Sequence, residues 1–340
     1  MTPPGRLFLS TVCCLGLLAA ALPVTTARAL EIEPFRTVNR SPLLQGYGLP
    51  DETTPALLQA GSWGASLAQD VASNYTVSST THEQILLDGE QYRWTLTGRY
   101  GLTDRLEVGL ELPVVLQGGG FLDSFIIDWH RFWGLPQGGR DSAPHNRLLY
   151  RYVKDGVQRL NMTHAAGGLG DISLLAGYRL YEQRQDEDHD LLAIRTQLKL
   201  PTGNSNDLLG SGSVDLAIFL TGSMNRSTEW GTLGLFASAG GMVSSNGEIL
   251  KQQRNNLIGF GAAGIGWAPA SWIAFKVQTN LNSPFYRSSL DELGTTAVNL
   301  TGGGTLKLLD NYLLDIAVGE DVAVATAPDV TFHLGLSKRF

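Results

Sequence analysis

The chain has 340 residues, 25 of them Lys or Arg against 32 Asp or Glu, a formal net charge of −7, with 40 glycines and two cysteines. That acidic balance excludes the basic face a nucleic-acid partner would need. Both cysteines, Cys13 and Cys14, lie in the first apolar run, so the chain beyond it carries no disulfide, metal thiolate or thiol nucleophile.

That run, 7–22 after Arg6, is followed by Thr26-Ala27-Arg28-Ala29, with small residues at the two places a signal peptidase reads. It predicts a cleaved secretory signal over 1–29. Removing Arg6 and Arg28 leaves 23 basic against 32 acidic residues, a charge of −9. No later segment offers the roughly 18 uninterrupted apolar residues of a spanning helix. Residues 30–61 are rich in turn formers and do not alternate. Two readings stand for them: a periplasmic lead-in, or a plug that carries Arg36 and Arg40 into the interior of the domain formed by residues 62–340.

From residue 62 the pattern has a period of two, the signature of strands with one greasy and one wet face. A first strand is expected over 62–72. Over 91–100, Tyr92, Trp94, Leu96 and Tyr100 oppose Arg93, Thr95, Thr97 and Arg99. A tight turn at 101–105 leads to Leu106, Val108, Leu110, Leu112 and Val114 against Glu107 and Glu111, which sets Arg99 near Glu107 as a cross-strand ion pair. Alternation stops over 117–168. It resumes over 170–181 with Arg179 inward, and an acidic turn is expected at 185–190.

Strands then follow over 191–201 (Arg195 and Lys199 inward), 214–220 (Asp215 inward), 230–243, 256–267, 272–282 (Lys276 inward), 297–308 (Lys307 inward) and 311–322 (Asp315 inward). The last, 330–340, sets Val330, Phe332, Leu334, Leu336 and Phe340 on one face and Thr331, His333, Ser337 and Arg339 on the other. Lys338 breaks the outer face, which a snorkelling cation near an interface tolerates. About twelve strands, an even number, return the last beside the first. The fold predicted is all-β: a transmembrane up-and-down antiparallel barrel over 62–340, with a long extracellular loop at 117–168 and short periplasmic turns. Tyr92, Tyr100, Trp230, Trp267, Trp272 and Tyr312 fall near strand ends, where interfacial girdles lie.

The inward charges would then be Arg93, Arg99, Arg179, Arg195, Lys199, Lys276, Lys307 and Arg339 against Glu107, Glu111, Asp215 and Asp315. A lumen leaning basic predicts a channel or binding porin for small anionic or polar solutes. The competing reading is that these cations pair with the inward carboxylates and with a returning loop or plug.

Other motifs carry less. Gly259-Phe260-Gly261-Ala262-Ala263-Gly264 matches a dinucleotide fingerprint, but no helix pattern follows it, and the glycines read as thinning a crowded wall. In 118–140, Asp128 could orient His130 while Trp129 and its neighbours grip a sugar or acyl chain; alternatively the aromatics anchor a loop, with Arg140, folded into or over the mouth. A membrane-embedded hydrolase of lipid or lipopolysaccharide is the second class of function, but no serine is set beside a histidine by spacing and no G-x-S-x-G occurs. A structural or adhesion barrel is the third. No catalytic residue, metal or cofactor is assigned.

A set of short motifs adds a resemblance: Asn39-Arg40-Ser41-Pro42-Leu43, Tyr47-Gly48-Leu49-Pro50, Leu87-Asp88-Gly89-Glu90, Glu107-Val108-Gly109-Leu110-Glu111-Leu112-Pro113, Ile127-Asp128-Trp129-His130, Gly134-Leu135-Pro136-Gln137-Gly138-Gly139-Arg140, Leu198-Lys199-Leu200-Pro201-Thr202-Gly203 and Pro328-Asp329-Val330. With them the chain resembles a bacterial outer-membrane β-barrel family catalogued as a domain of unknown function, number 3187. The resemblance implies a barrel in the outer membrane of a Gram-negative bacterium, in contact with its lipids. A closing strand that ends on Phe340 resembles those read by the barrel-assembly machinery. No reaction, substrate or catalytic residue comes with the family.

Overall fold

The computed structural model describes residues 30–134, 137–309, 312–322 and 326–340, and of Trp133 the backbone alone. The expected signal at 1–29 and residues 135–136 of the loop motif lie outside the described residues.

Antiparallel strands β1 (Trp63–Ser79), β2 (Glu83–Thr103), β3 (Leu106–Gly118), β7 (Ser173–Gln185), β8 (Asp188–Lys199), β9 (Asp215–Thr228), β10 (Gly231–Ser244), β11 (Leu257–Ala270), β12 (Ile273–Asn282), β13 (Ala297–Lys307), β14 (Leu313–Asp321) and β15 (Val330–Arg339) pair in sequence. The ring closes where β15 runs beside β1, ten residue pairs from Gly64↔Arg339 to Ser73↔Val330. Closure is what a bilayer demands of strands, because an edge in hydrocarbon leaves each orphaned N–H or C=O costing several kcal/mol.

The residue pattern explains which way each strand faces. Along β9, Leu216, Ile218, Leu220 and Met224 are exposed while Asp215, Ala217, Phe219, Thr221, Ser223 and Asn225 are buried, so the apolar row points away from the axis. Turns at one end are short. At that end Trp63, Trp230, Trp267, Trp272 and Phe340 form an exposed belt with Tyr100 and Tyr312, the Trp63 and Tyr100 rings 4.6 Å apart. Lys338 does stay on the outer face, its ammonium 4.3 Å from the Tyr312 ring centre and 5.0 Å from that of Phe340.

Three differences from the sequence pattern stand out. Strands β1 and β2 run to Ser79 and from Glu83, well past the expected 62–72 and 91–100, held by an unbroken register from Trp63↔Tyr100 to Ser79↔Gln84. Their far ends carry polar residues on both faces, so period-two reading could not see them. The stretch 117–168, read as one loop, holds helix α1 (Asp123–Trp133) and strands β4 (Leu149–Lys154), β5 (Val157–Met162) and β6 (Ala166–Leu169). Strand β4 pairs with the β2 extension and β6 with the end of β3. The acidic stretch 185–190 is mostly strand, with only residues 186–187 in the turn.

Candidate functional site

Residues 30–61 run inside the ring as a strap that rises from the short-turn end and returns to it. Ile32 enters where its amide donates to Asn225 Oδ1 at 2.8 Å. A Cβ on Gly234 would lie 2.3 Å from the Ile32 Cβ, so the wall glycine makes the room the strap occupies. The Gln278 amide then brackets Phe35, accepting from its N–H at 2.9 Å and donating to its carbonyl at 3.1 Å.

Near the long-loop end the strap turns over, with Leu44 N–H donating to the Ser41 carbonyl. Its apolar residues Leu43, Leu44, Tyr47 and Leu49 pack there against Tyr150 and Tyr152 of β4 and against Phe285 and Tyr286. The Tyr286 hydroxyl donates to the Leu43 carbonyl at 2.7 Å, and Tyr47 to that of Ile249 at 3.1 Å. Descending, Gly48 N–H meets Asp215 at 2.8 Å, the Thr54 carbonyl accepts from Arg195 at 2.7 Å, and Leu58 N–H meets Glu107 at 2.9 Å, just before β1 begins.

The predicted lumen charges face this strap, and nearly all are paired. Arg99 lies 3.4 Å and Arg195 3.0 Å from Glu107. Glu111 pairs with Arg36 of the strap at 3.2 Å. Lys199 stands 2.6 Å from Asp171 and 3.1 Å from Asp215, and donates to the Gly46 carbonyl. Lys276 pairs with Asp315 at 3.0 Å and stands 3.8 Å from the centre of the Phe35 ring. Arg339 reaches Glu33 at 2.6 Å, Arg179 pairs with Glu182, and Arg93 donates to Gln45 at 3.1 Å. Lys307 is exposed at the short-turn end.

The basic surplus inferred for the wall is therefore offset, because two groups were missed. One is the set of strap carboxylates, Glu33, Asp51 and Glu52. The other is the wall acids Asp70 and Asp171. Asp70 anchors a chain of charge: Arg40 bridges it to Asp51 at 2.7 Å from each, and His333 Nδ1 stands 2.6 Å from its other oxygen. Asp70 was legible in principle, since it shares the inward parity of the first expected strand.

Among the described residues, two internal spaces stand out. A cavity of about 20 Å³, room for one water, lies among Arg40, Gln45, Arg93, Glu111 and Lys199. At the short-turn end a vestibule of about 690 Å³ opens among Arg36, Arg99, Lys276 and Arg339 with Glu33, Glu107 and Asp315.

The loop candidates lie elsewhere. Asp128 pairs with Arg131 at 2.7 Å on α1, and residues two apart on a helix point away from each other, so Asp128 does not orient His130. Arg140 is buried, 2.5 Å from Asp123, 2.6 Å from Asp329 and 3.0 Å from Ser73 Oγ. Burial lowers the Arg140 pKa, but Asp329 and Asp123 outweigh it and hold the guanidinium above its ordinary value; burial likewise lifts the Asp329 carboxyl against the opposing pull of Arg140.

Ser73 sits on the outward face of β1, and so does Glu90 on β2, which accepts from Phe121 and Leu122 N–H. The described residues of 119–148 thus fold over the outside of the wall rather than into the mouth, while β4 and β5 turn Tyr150, Tyr152 and Met162 inward. Spacing also missed Ser124, whose hydroxyl is 3.3 Å from His145 Nδ1 in an exposed pair.

A family model described as "Protein of unknown function (DUF3187)" matches residues 9–340. Comparison with curated protein sequences finds no match. Among solved structures the chain is similar to the COG4313 outer membrane channel from Pseudomonas putida F1, at 13% identity and a TM-score of 0.52, over 84% of this chain and 97% of that one. It is also similar to LpxR from Salmonella typhimurium (10% identity, TM-score 0.42, 80% and 99% covered) and to the translocator domain of autotransporter NalP from Neisseria meningitidis (9%, 0.37, 83% and 90%). At such identities the first bears on the fold alone, a twelve-stranded barrel of the outer-membrane kind.

Proposed function

The chain belongs to the DUF3187 family, matched over residues 9–340, and from its outer-membrane barrel fold we propose a gated channel or binding porin for small polar or anionic solutes, closed here by its own N-terminal strap. In this reading the protein is exported by its leader into the outer membrane of a Gram-negative bacterium. The short turns and the strap's origin face the periplasm, and the long loops face outside.

One observation carries the reading. Through the middle of the barrel the strap touches the wall by ion pairs and hydrogen bonds to polar side chains, among them Arg36–Glu111, Arg40–Asp70, Thr54–Arg195 and Thr37–Asn280. When the strap leaves, water solvates both partners of each contact, so the net cost is about 0.5–1.5 kcal/mol for a neutral hydrogen bond and about 1.5–3 kcal/mol for one to a charged group. The vestibule has the volume of a small-molecule site. A solute carboxylate or phosphate entering it meets Arg36, Arg99 and Arg339, and by drawing Arg36 from Glu111 it favours the state in which the strap has moved.

A disulfide lock tests this. The chain from Leu30 has no cysteine, and an ideal Cβ on Gly48 stands 2.9 Å from the Asp215 Cβ, a small shift from bridging distance. Gly48→Cys with Asp215→Cys should give planar-bilayer currents only after reduction. Equal currents before and after reductant would remove the strap as gate.

A further inference from the structure

Helix α1 buries one apolar face and exposes another. Ile126 and Ile127 are buried. On the opposite side Phe125, Trp129 and Phe132 are exposed, Phe132 at 77%, as is Phe121 just ahead of the helix. Phe125, Trp129 and Phe132, spaced four and three residues apart, fall within a sector of about 60° at the helical period, and Phe121 leads into the first turn. The Phe125 and Trp129 rings stack 6.2 Å apart, so the stripe is an ordered surface.

The stripe continues the barrel's own outer face. Phe121 stacks on Tyr92 at 6.3 Å, and Tyr92 on Trp94 at 6.4 Å. Phe125 meets Phe332 of β15 edge-on at 6.0 Å. Tyr92, Trp94 and Phe332 belong to the outward row of the wall. From Tyr100, in the short-turn belt, to Tyr92 is a run of eight residues along β2. At about 3.3 Å per residue that is roughly 26 Å of strand. A tilt of about 40° leaves on the order of 20 Å along the bilayer normal, near the height of an outer-membrane apolar band.

The stripe therefore stands where the second belt of aromatics is needed. Two tethers hold it there: Glu90 accepts from the N–H groups that lead into the helix, and Arg140 clamps Asp123 to Asp329.

We infer that α1 is an in-plane membrane helix whose aromatic stripe, Phe121, Phe125, Trp129 and Phe132, is sunk among the acyl chains of the leaflet at the long-loop end. The occupant of this face is lipid, because the face is continuous with a surface that hydrocarbon already covers. Wedged between leaflet and wall, the helix also screens Glu90, Ser73 and Arg140, polar groups on the outward side that hydrocarbon would not tolerate. The inference does not depend on solute passage; it holds for an open or a permanently closed barrel.

The test uses the folded chain from Leu30, which has no cysteine of its own, in phosphatidylcholine vesicles with and without brominated acyl chains. Phe132→Cys and Arg131→Cys variants carry an environment-sensitive fluorophore, Arg131 lying about 120° from the stripe centre. The Phe132 label should emit to the blue and be quenched by bromine about threefold more than the Arg131 label. Trp129→Cys gives the same readout one turn earlier should the first variant fold poorly. Equal quenching at both positions would overturn the inference. So would a Phe132 label shielded from aqueous iodide yet untouched by bromolipid, since a second copy of the chain or another protein would then cover the face.

Discussion

Arg140 shows how little of a side chain's role its neighbours in sequence reveal. It lies in a glycine-rich stretch that suggests a mobile tip, yet it is buried between Asp123 and Asp329, 189 residues apart from the latter. Removing one partner of such a group leaves uncompensated buried charge, so Arg140→Leu should cost roughly 3–5 kcal/mol in urea unfolding from vesicles. The pH dependence has a definite sign. Burial raises the Asp329 carboxyl against the pull of Arg140, and without the guanidinium that pull is gone, so the folded state binds more protons than the unfolded one. Stability falls as pH rises through that window, so the defect should shrink on acidification. A defect that grows at low pH would show that the carboxylates keep another cation.

Among elements, the strap is the one whose existence was open and whose path was illegible. Its residues have no period, because each contacts a different wall strand: Ile32 on β9 and β10, Phe35 on β12, Arg40 on β1, Leu58 on β3. A segment held by separate local contacts leaves no repeating mark. Its imprint is on the wall, in glycines such as Gly234, where any side chain collides with Ile32. Gly234→Val should expel the strap's first turn while leaving the ring intact, read as new protease cleavage near residue 32 with unchanged β-sheet circular dichroism. An uncut strap would mean that the entrance has slack. Helix α1 is the opposite case. Its period of 3.6 is written in Phe125, Trp129 and Phe132, and only the search for alternation passed over it.

At the scale of the whole molecule the ring makes inside and outside unequal. Leu220, mid-strand on β9 and exposed, should lose roughly 2–4 kcal/mol on replacement by Arg in lipid. Unfolding in vesicles measures it, and a neutral result would put that face away from hydrocarbon. What the sequence by itself determined is the barrel: the strand count, the outward rows and the Arg99–Glu107 pair all follow from a period of two, a local property that any strand must show to hydrocarbon. What only the tertiary structure decided is the content of the lumen and the position of the long loop. Whether Arg36, Arg40 and Arg339 are free or neutralised depends on which distant carboxylates the closed ring brings within about 3 Å, and pairing between strap and wall has no signature along the chain.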